Sequence, residues 1–251
     1  MGAIGDPKLT VDPWADMLLD RLEPQAAGPM LPETMAAYQM KQQRWPSLEL
    51  RHLTHMVRLT RDPVAHLDKF QAAYDFLCID IGVLRSIMCP LPGCLDGATP
   101  VDSIPSKRIR NGLSSQFSMG LIWSMIFNRM LQEYKPEDTM LNIELNECID
   151  NMAFLTVRAM PDRPLGATYC PPGMVVAFSA SKDPVRRENM KRLMVEFSKG
   201  FADINWQDGL KFWEKKLEHV KLAVRKLRDE DVEKELQEIE LKLWDDPCHM
   251  Q

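Results

Sequence analysis

The chain is poor in glycine and histidine and has no long apolar run, and each shortage removes a class of function. Its 12 glycines never form a Gly-x-Gly or a Walker pattern. Without closely spaced glycines, backbone amides cannot close on a phosphate, which excludes nucleotide binding of those kinds. The Gly-x-Ser-x-Gly turn of serine hydrolases is missing, and so is the Asp-Asp-x-x-Asp that would hold magnesium in an isoprenoid cyclase. No apolar stretch approaches the roughly 20 residues a membrane helix needs. Met1 to Asp6 offers neither a basic nor an apolar leader region, so an intracellular protein is expected. The 31 basic and 36 acidic side chains leave a net charge of −5, too little of either sign to draw the whole chain to nucleic acid or acidic lipid.

Six cysteines, at 78, 89, 94, 148, 170 and 248, contain no Cys-x-x-Cys pair. In an intracellular chain that scatter predicts free, structural thiols rather than a disulfide framework. Cys89-Pro-Leu-Pro-Gly-Cys94 is stiffened by two prolines and has no histidine nearby, so a zinc site lacks its ligand spacing. Seventeen methionines suit core filling first, and a cavity for a small apolar ligand second.

What is present is helix periodicity in a chain of 251 residues that is 45% apolar, enough to bury a sizeable core. Asp12-Pro13, Asp62-Pro63 and Asp183-Pro184 each pair a capping carboxylate with a proline whose fixed φ suits the first helical turn. Short helices follow Asp12-Pro13 and Leu31-Pro32, and Ser47 caps another reaching Thr60. From Asp62, the positions Val64, Leu67, Phe70, Tyr74, Leu77, Ile81, Leu84 and Met88 advance by three or four and predict a long core helix. A loop is expected from Cys89 to Pro105, then a helix from Ser106 to Tyr134 and another carrying Met140, Ile143, Cys148, Met152 and Leu155 to Met160. Pro161 to Gly173 read as a second loop, Met174 to Phe178 as a short buried element, and Pro184 to Lys199 as an amphipathic helix with Leu193, Met194 and Phe197 inside. No stretch alternates with period two between hairpin turns. The fold class is therefore all-α, a multi-helix bundle with a long amphipathic C-terminal helix. Three regions are expected: N-terminal short helices and linkers over 1–46, a helical core over 47–204, and the long helix over 205–251.

In that last segment Leu210, Trp213, Leu217, Val220, Val224 and Leu227 form one continuous apolar seam, the candidate contact with a protein partner or a second copy of the chain. The phase slips near 229–231, which suggests a kink. From Lys211 to Arg228 there are seven basic and two acidic residues, and from Asp229 to Asp246 two basic and nine acidic. Halves of opposite charge can pair antiparallel, or simply form a solvated face over the core.

Catalytic candidates are sparse. His52 and His55 lie three apart on one helical face, but no carboxylate completes a metal-binding His-Glu-x-x-His, and Arg51, Arg58 and Arg61 surround them with positive charge. With Asp150 and Arg158 they are the polar groups a helical enzyme of cyclase or isomerase type would draw on. No catalytic residue, cofactor or metal ligand is assigned. Lys107-Arg108-Ile109-Arg110 and Arg186-Arg187 are basic but short, without interleaved aromatics, so direct DNA reading is not expected.

Arg108-Ile-Arg-Asn-Gly-Leu113, Leu121-Ile-Trp-Ser-Met-Ile-Phe-Asn-Arg-Met-Leu131, Asn151-Met-Ala-Phe154, Arg163-Pro-Leu-Gly-Ala-Thr-Tyr-Cys-Pro-Pro172, and Gly200-Phe-Ala-Asp203 before Trp206 occur in an order that resembles the C-terminal regulatory region of fungal binuclear zinc cluster transcription factors. The resemblance spans rather less than half of the chain. It implies an α-helical regulatory domain in a nuclear protein of filamentous fungi, often one controlling a secondary-metabolite gene cluster. The cysteine-rich module by which that family reads DNA has no counterpart here. The resemblance therefore implies action through a partner that touches DNA, or a relative recruited to another use such as secondary-metabolite enzymology.

Overall fold

The computed structural model describes residues 45–48, 56, 59–60, 67–89, 104, 106–163, 165–199 and 206–226. Among them there is no strand, and six α-helices make the protein an all-α bundle, as the periodicity predicts. The chain divides into two compact units, Met1–Ala73 and Tyr74–Gln251, with the boundary inside α1 (Leu67–Met88). In the first unit Pro46–Leu48 form a 3-10 turn, and Trp45, Met56, Leu59 and Phe70 are buried. Most of the expected N-terminal helices, the loop at 90–103 and the kink at 229–231 lie outside the described residues.

In the second unit the stripe expected of α1 is the one buried: Tyr74, Leu77, Ile81, Leu84 and Met88 all face inward. Along its length α1 is tied to a later helix, α3 (Thr139–Ala159), through Tyr74 to Glu144, Arg85 to Glu147 at 2.7 Å, and the Cys89 thiol to Asn151 Oδ1 at 3.4 Å. Between them comes α2 (Lys107–Tyr134), opening at Ser106 as expected. Every residue from Gly120 to Asn128 is buried, so α2 is enclosed on all sides for more than two turns, as befits the centre of a bundle.

Lys135 to Asp138 turn the chain back. The Asp138 carboxylate accepts from the amides of Met140 at 3.0 Å and Leu141 at 3.4 Å, and so starts α3. The buried face of α3 is Leu141, Leu145, Cys148, Ile149, Met152 and Leu155. The expected Met140 and Ile143 are instead 56% and 50% exposed. An apolar run with residues at adjacent positions leaves the helical phase ambiguous by one residue, and packing selects the leucines. Gln132 donates to the Leu141 carbonyl, and Ser118 Oγ approaches Met152 Sδ, so α3 runs antiparallel to α2.

Pro161 to Gly173 are not one loop. Two 3-10 turns, Met160–Asp162 and Leu165–Ala167, lead into α4 (Cys170–Ala180), which extends the expected buried element at 174–178 in both directions. Pro171 and Pro172 look like helix breakers, yet they occupy the first turn, where an amide has no intrahelical acceptor to lose. This short helix is the hub of the bundle, in contact with α2, α3, α5 (Pro184–Ser198) and α6 (Trp206–Lys226). Asp183 caps α5 as expected, accepting from the Val185 amide at 2.8 Å, and Met190, Met194 and Phe197 point inward. A Cβ at Gly209 would stand 3.2 Å from Val175 Cγ1, so α6 lies close against α4.

Candidate functional site

Between α2, α4 and α6, around the C-terminal end of α4, lies a cleft of ≈ 400 Å³ that opens to solvent. It is lined by Arg129 and Glu133 of α2, Ser179 of α4, Lys182 from the turn after α4, and Glu214, Leu217, Glu218 and Lys221 of α6. The volume falls in the range of small-molecule sites, but the wall is polar where such sites are more often apolar. Leu217 is its one aliphatic side chain.

The positions follow from helical spacing. Arg129 and Glu133 are four apart, one turn, and form an ion pair in the largely buried C-terminal half of α2. Glu218 and Lys221 are three apart, with the ammonium 3.3 Å from a carboxylate oxygen. From α5 the Arg187 guanidinium stacks on the Phe178 ring, 4.2 Å from its centroid, and reaches Glu214 at 3.5 Å. Ser179 Oγ donates to the Val175 carbonyl at 2.9 Å, which leaves the hydroxyl lone pairs as acceptors. Each carboxylate of the cleft thus already has a cation. Lys182 is different: no carboxylate lies within ion-pair distance of its ammonium among the described residues. Partial burial and the Arg129 guanidinium, with a smaller contribution from Lys221, hold Lys182 below the usual lysine range against the pull of Glu133.

A second polar cluster runs from the core out to half-buried Glu144. Tyr74 OH donates to Glu144 Oε2 at 2.7 Å, Asn128 Nδ2 donates to Tyr74 OH at 2.7 Å, and Gln132 Nε2 donates to Asn128 Oδ1 at 3.0 Å. Burial, with Cys78 beside it, pushes the Tyr74 phenol up. Burial likewise raises the thiols of Cys78 to about 11, and of Cys148 and Cys170 to about 12, so all three stay protonated and poorly nucleophilic near neutral pH. Cys78, Cys89, Cys148 and Cys170 are all free thiols. The cluster is a satisfied network joining α1, α2 and α3, with no access for a substrate to Asn128, which is fully buried.

The expected functional residues are distributed as follows. In the C-terminal seam, Trp213, Val220 and Val224 are 2%, 0% and 4% exposed, and α6 packs on α2 and α4 of its own chain. Leu210 and Leu217 are half-buried, and Leu227 lies outside the described residues. His52 and His55 also lie outside them. Asp150 is held by Arg186 through two bonds of 3.0 and 2.9 Å, and Arg158 sits 5.7 Å from the Phe154 ring centroid. Both are accounted for by such contacts, and neither lines the cleft. The basic clusters are similarly engaged: Lys107 with Asp162 at 2.6 Å, Arg110 with the Ile104 carbonyl, and Arg186 with Asp183 and Asp150. Met88, Met125, Met130, Met152, Met174, Met190 and Met194 are core side chains.

None of the charged cleft residues stands out in the sequence, because they come from two helices and a turn. The one local signal is Arg129-x-x-x-Glu133, an ion-pair spacing set into the largely buried C-terminal half of α2. No helix among the described residues is long and apolar enough to cross a membrane. No protein-family model, curated protein or solved structure matches the chain.

Proposed function

We propose that the chain is a helical regulatory and interaction domain of transcription-factor type, located in the nucleus, which controls a fungal secondary-metabolite gene cluster and reaches DNA through a protein partner. The observation that carries this reading is the placement of the segments on which the resemblance rests. Leu121–Leu131 lies on α2, Asn151–Phe154 on α3, and Arg163–Pro172 leads into α4, and these three helices are mutual neighbours in one core. Tyr169 accepts from Ser118 at 2.8 Å, and Met152 lies against Gly173. Segments far apart in sequence that meet in space are what a shared fold would keep together, which supports a regulatory core.

The C-terminal helix is the element offered to the partner. With Trp213, Val220 and Val224 in the core, α6 presents a face of Lys211, Glu214 and Glu218 bordered by half-buried Leu210 and Leu217. Association through such a face weakens as salt rises, because exposed charges are screened within about 10 Å at 0.1 M ionic strength. The test is chromatin immunoprecipitation of the tagged chain in a filamentous fungus, with gel-shift measurements on the purified chain and transcript profiles of a deletion strain. Promoter occupancy at a co-regulated gene cluster, without DNA binding by the purified chain, is expected. Unaided DNA binding would remove the partner, and absence from chromatin with unchanged transcripts would remove the regulatory role.

A further inference from the structure

We propose that the cleft between α2, α4 and α6 is a binding site for a small monocarboxylate bearing hydroxyl or amino groups, with Lys182 as the anchor of its carboxylate. The site stands independently of gene regulation, since it rests on the cleft alone.

The pairing of charges in the wall selects the ligand class. Arg129 neutralises Glu133, Lys221 neutralises Glu218, and Arg187 neutralises Glu214. The lining alone balances, with three cations against three carboxylates, but Arg187 reaches Glu214 from outside it, so once Arg187 is counted the site carries one positive charge in surplus, that of Lys182. A single carboxylate cancels it. A doubly charged phosphate would bring a net negative charge up against three carboxylates, and a neutral molecule would leave the ammonium as it is. Arg129 and Lys221 both repel Lys182, so an anion placed on the ammonium relieves two repulsions as it forms its own contact.

The remainder of the wall sets the rest of the ligand. Carboxylate oxygens of Glu133, Glu214 and Glu218 and the Ser179 hydroxyl are acceptors. They suit O–H or N–H groups along the ligand, whereas a purely aliphatic chain finds only Leu217. The pocket expected for a small apolar guest thus has a polar counterpart here.

Gluconate is the probe, with gluconamide as the same molecule without charge and inorganic phosphate as the competing anion, all titrated into the purified full chain by calorimetry at low salt. Saturable binding of gluconate is expected, with little heat from gluconamide or phosphate. Lys182→Met keeps the aliphatic stem and is expected to weaken gluconate by about tenfold or more, while Lys182→Arg retains most of the affinity. Lys182 is solvent-exposed, so neither variant endangers the fold, and circular dichroism checks this. If folding nevertheless fails, a nitrogen-15 chemical-shift titration of the unaltered chain reads the same contact, with changes expected at Ser179 to Asp183. Equal binding of gluconamide, tighter binding of phosphate, an unaffected Lys182→Met variant or no binding of gluconate would each overturn the proposal.

Discussion

A single methyl group added at Gly173 measures how tightly α4 is seated on α3. A Cβ there would stand 2.3 Å from Met152 Sδ, 2.7 Å from Cε and 3.3 Å from Cγ. Met152 is flexible in principle, but it is fully buried and its sulfur lies 3.9 Å from the Ser118 hydroxyl, so the thioether has no open space to swing into. Two effects compete. Alanine in place of helical glycine contributes about 1 kcal/mol through backbone entropy. Overpacking a filled core costs about 1–3 kcal/mol, and overlap with a buried sulfur belongs in the upper half of that range. Gly173→Ala is therefore expected to destabilise the protein by about 1–2 kcal/mol, which lowers Tm by about 2–8 °C in a chain of this size. Gly112, with no atom within 4 Å of its Cβ position, is the control: Gly112→Ala is expected to raise Tm slightly. Met152→Ala alone leaves a cavity costing about 2–5 kcal/mol, but in that background Gly173→Ala becomes neutral or stabilising because the clash is gone. Thermal and urea denaturation of the four-member cycle by circular dichroism reads the coupling. Unaltered or raised stability for Gly173→Ala, or the same loss with and without Met152, would refute the close seating.

Two further outcomes test the core. Asn128→Ala removes the donor to Tyr74 and the acceptor for Gln132, and is expected to cost about 1–3 kcal/mol as a lower urea midpoint at unchanged slope; a midpoint equal to the native one would show that the network contributes nothing. Burial raises Cys78 to about 11 and Cys148 to about 12 from 9.0, so the fold favours their neutral forms. That stability is complete below pH 9 and is lost as pH rises from there through the folded values. Tm is expected to hold between pH 7 and 9 and to fall above, less so in a Cys78→Ala, Cys148→Ala variant, and both thiols are expected to react with a disulfide reagent far more slowly in the native chain than in urea. Equal rates in the two states would contradict their burial.

Where the sequence was legible, one physical signal acted alone. The α1 stripe keeps its three-or-four spacing from Leu67 to Met88, long enough to single out the inward side chains although Ile79 and Val83 adjoin them, and Asp183-Pro184 combines cap and pre-set φ, so the start of α5 follows directly. In α3 the apolar residues Met140-Leu141 are adjacent, and nothing local says which of the two faces inward. Pro171-Pro172 hid the start of α4, since proline signals a break in mid-helix and a beginning in the first turn. The α6 seam shows a subtler ambiguity: steps of three and four describe a helix lying on its own core as well as one lying on another chain. Trp213, Val220 and Val224 are spent on the former. The cleft was invisible because its charges approach through tertiary packing, which no local pattern encodes.

Helix lengths explain why a cleft forms at that place. The 11 residues of α4 span about 16 Å, against about 31 Å for the 21 of α6 and about 42 Å for the 28 of α2. Val175 against Gly209 and Ser179 beside Leu217 show α4 and α6 running in the same direction. When α4 stops at Ala180, its longer neighbours continue with nothing between them but side chains. In the gap that α4 vacates, Glu214, Glu218 and Lys221 face water, while the Arg129–Glu133 pair lies deeper in the wall. Lys182 stands two residues beyond the end of α4, near the carbonyl end of its macrodipole, which favours a cation by about 0.3–1 kcal/mol. Burial and two neighbouring cations outweigh that pull and keep the ammonium below its ordinary range. An arriving carboxylate would act in the same sense as the helix terminus, favouring the charged form. The short hub helix that closes the core is thus also what leaves a positive site open at its end.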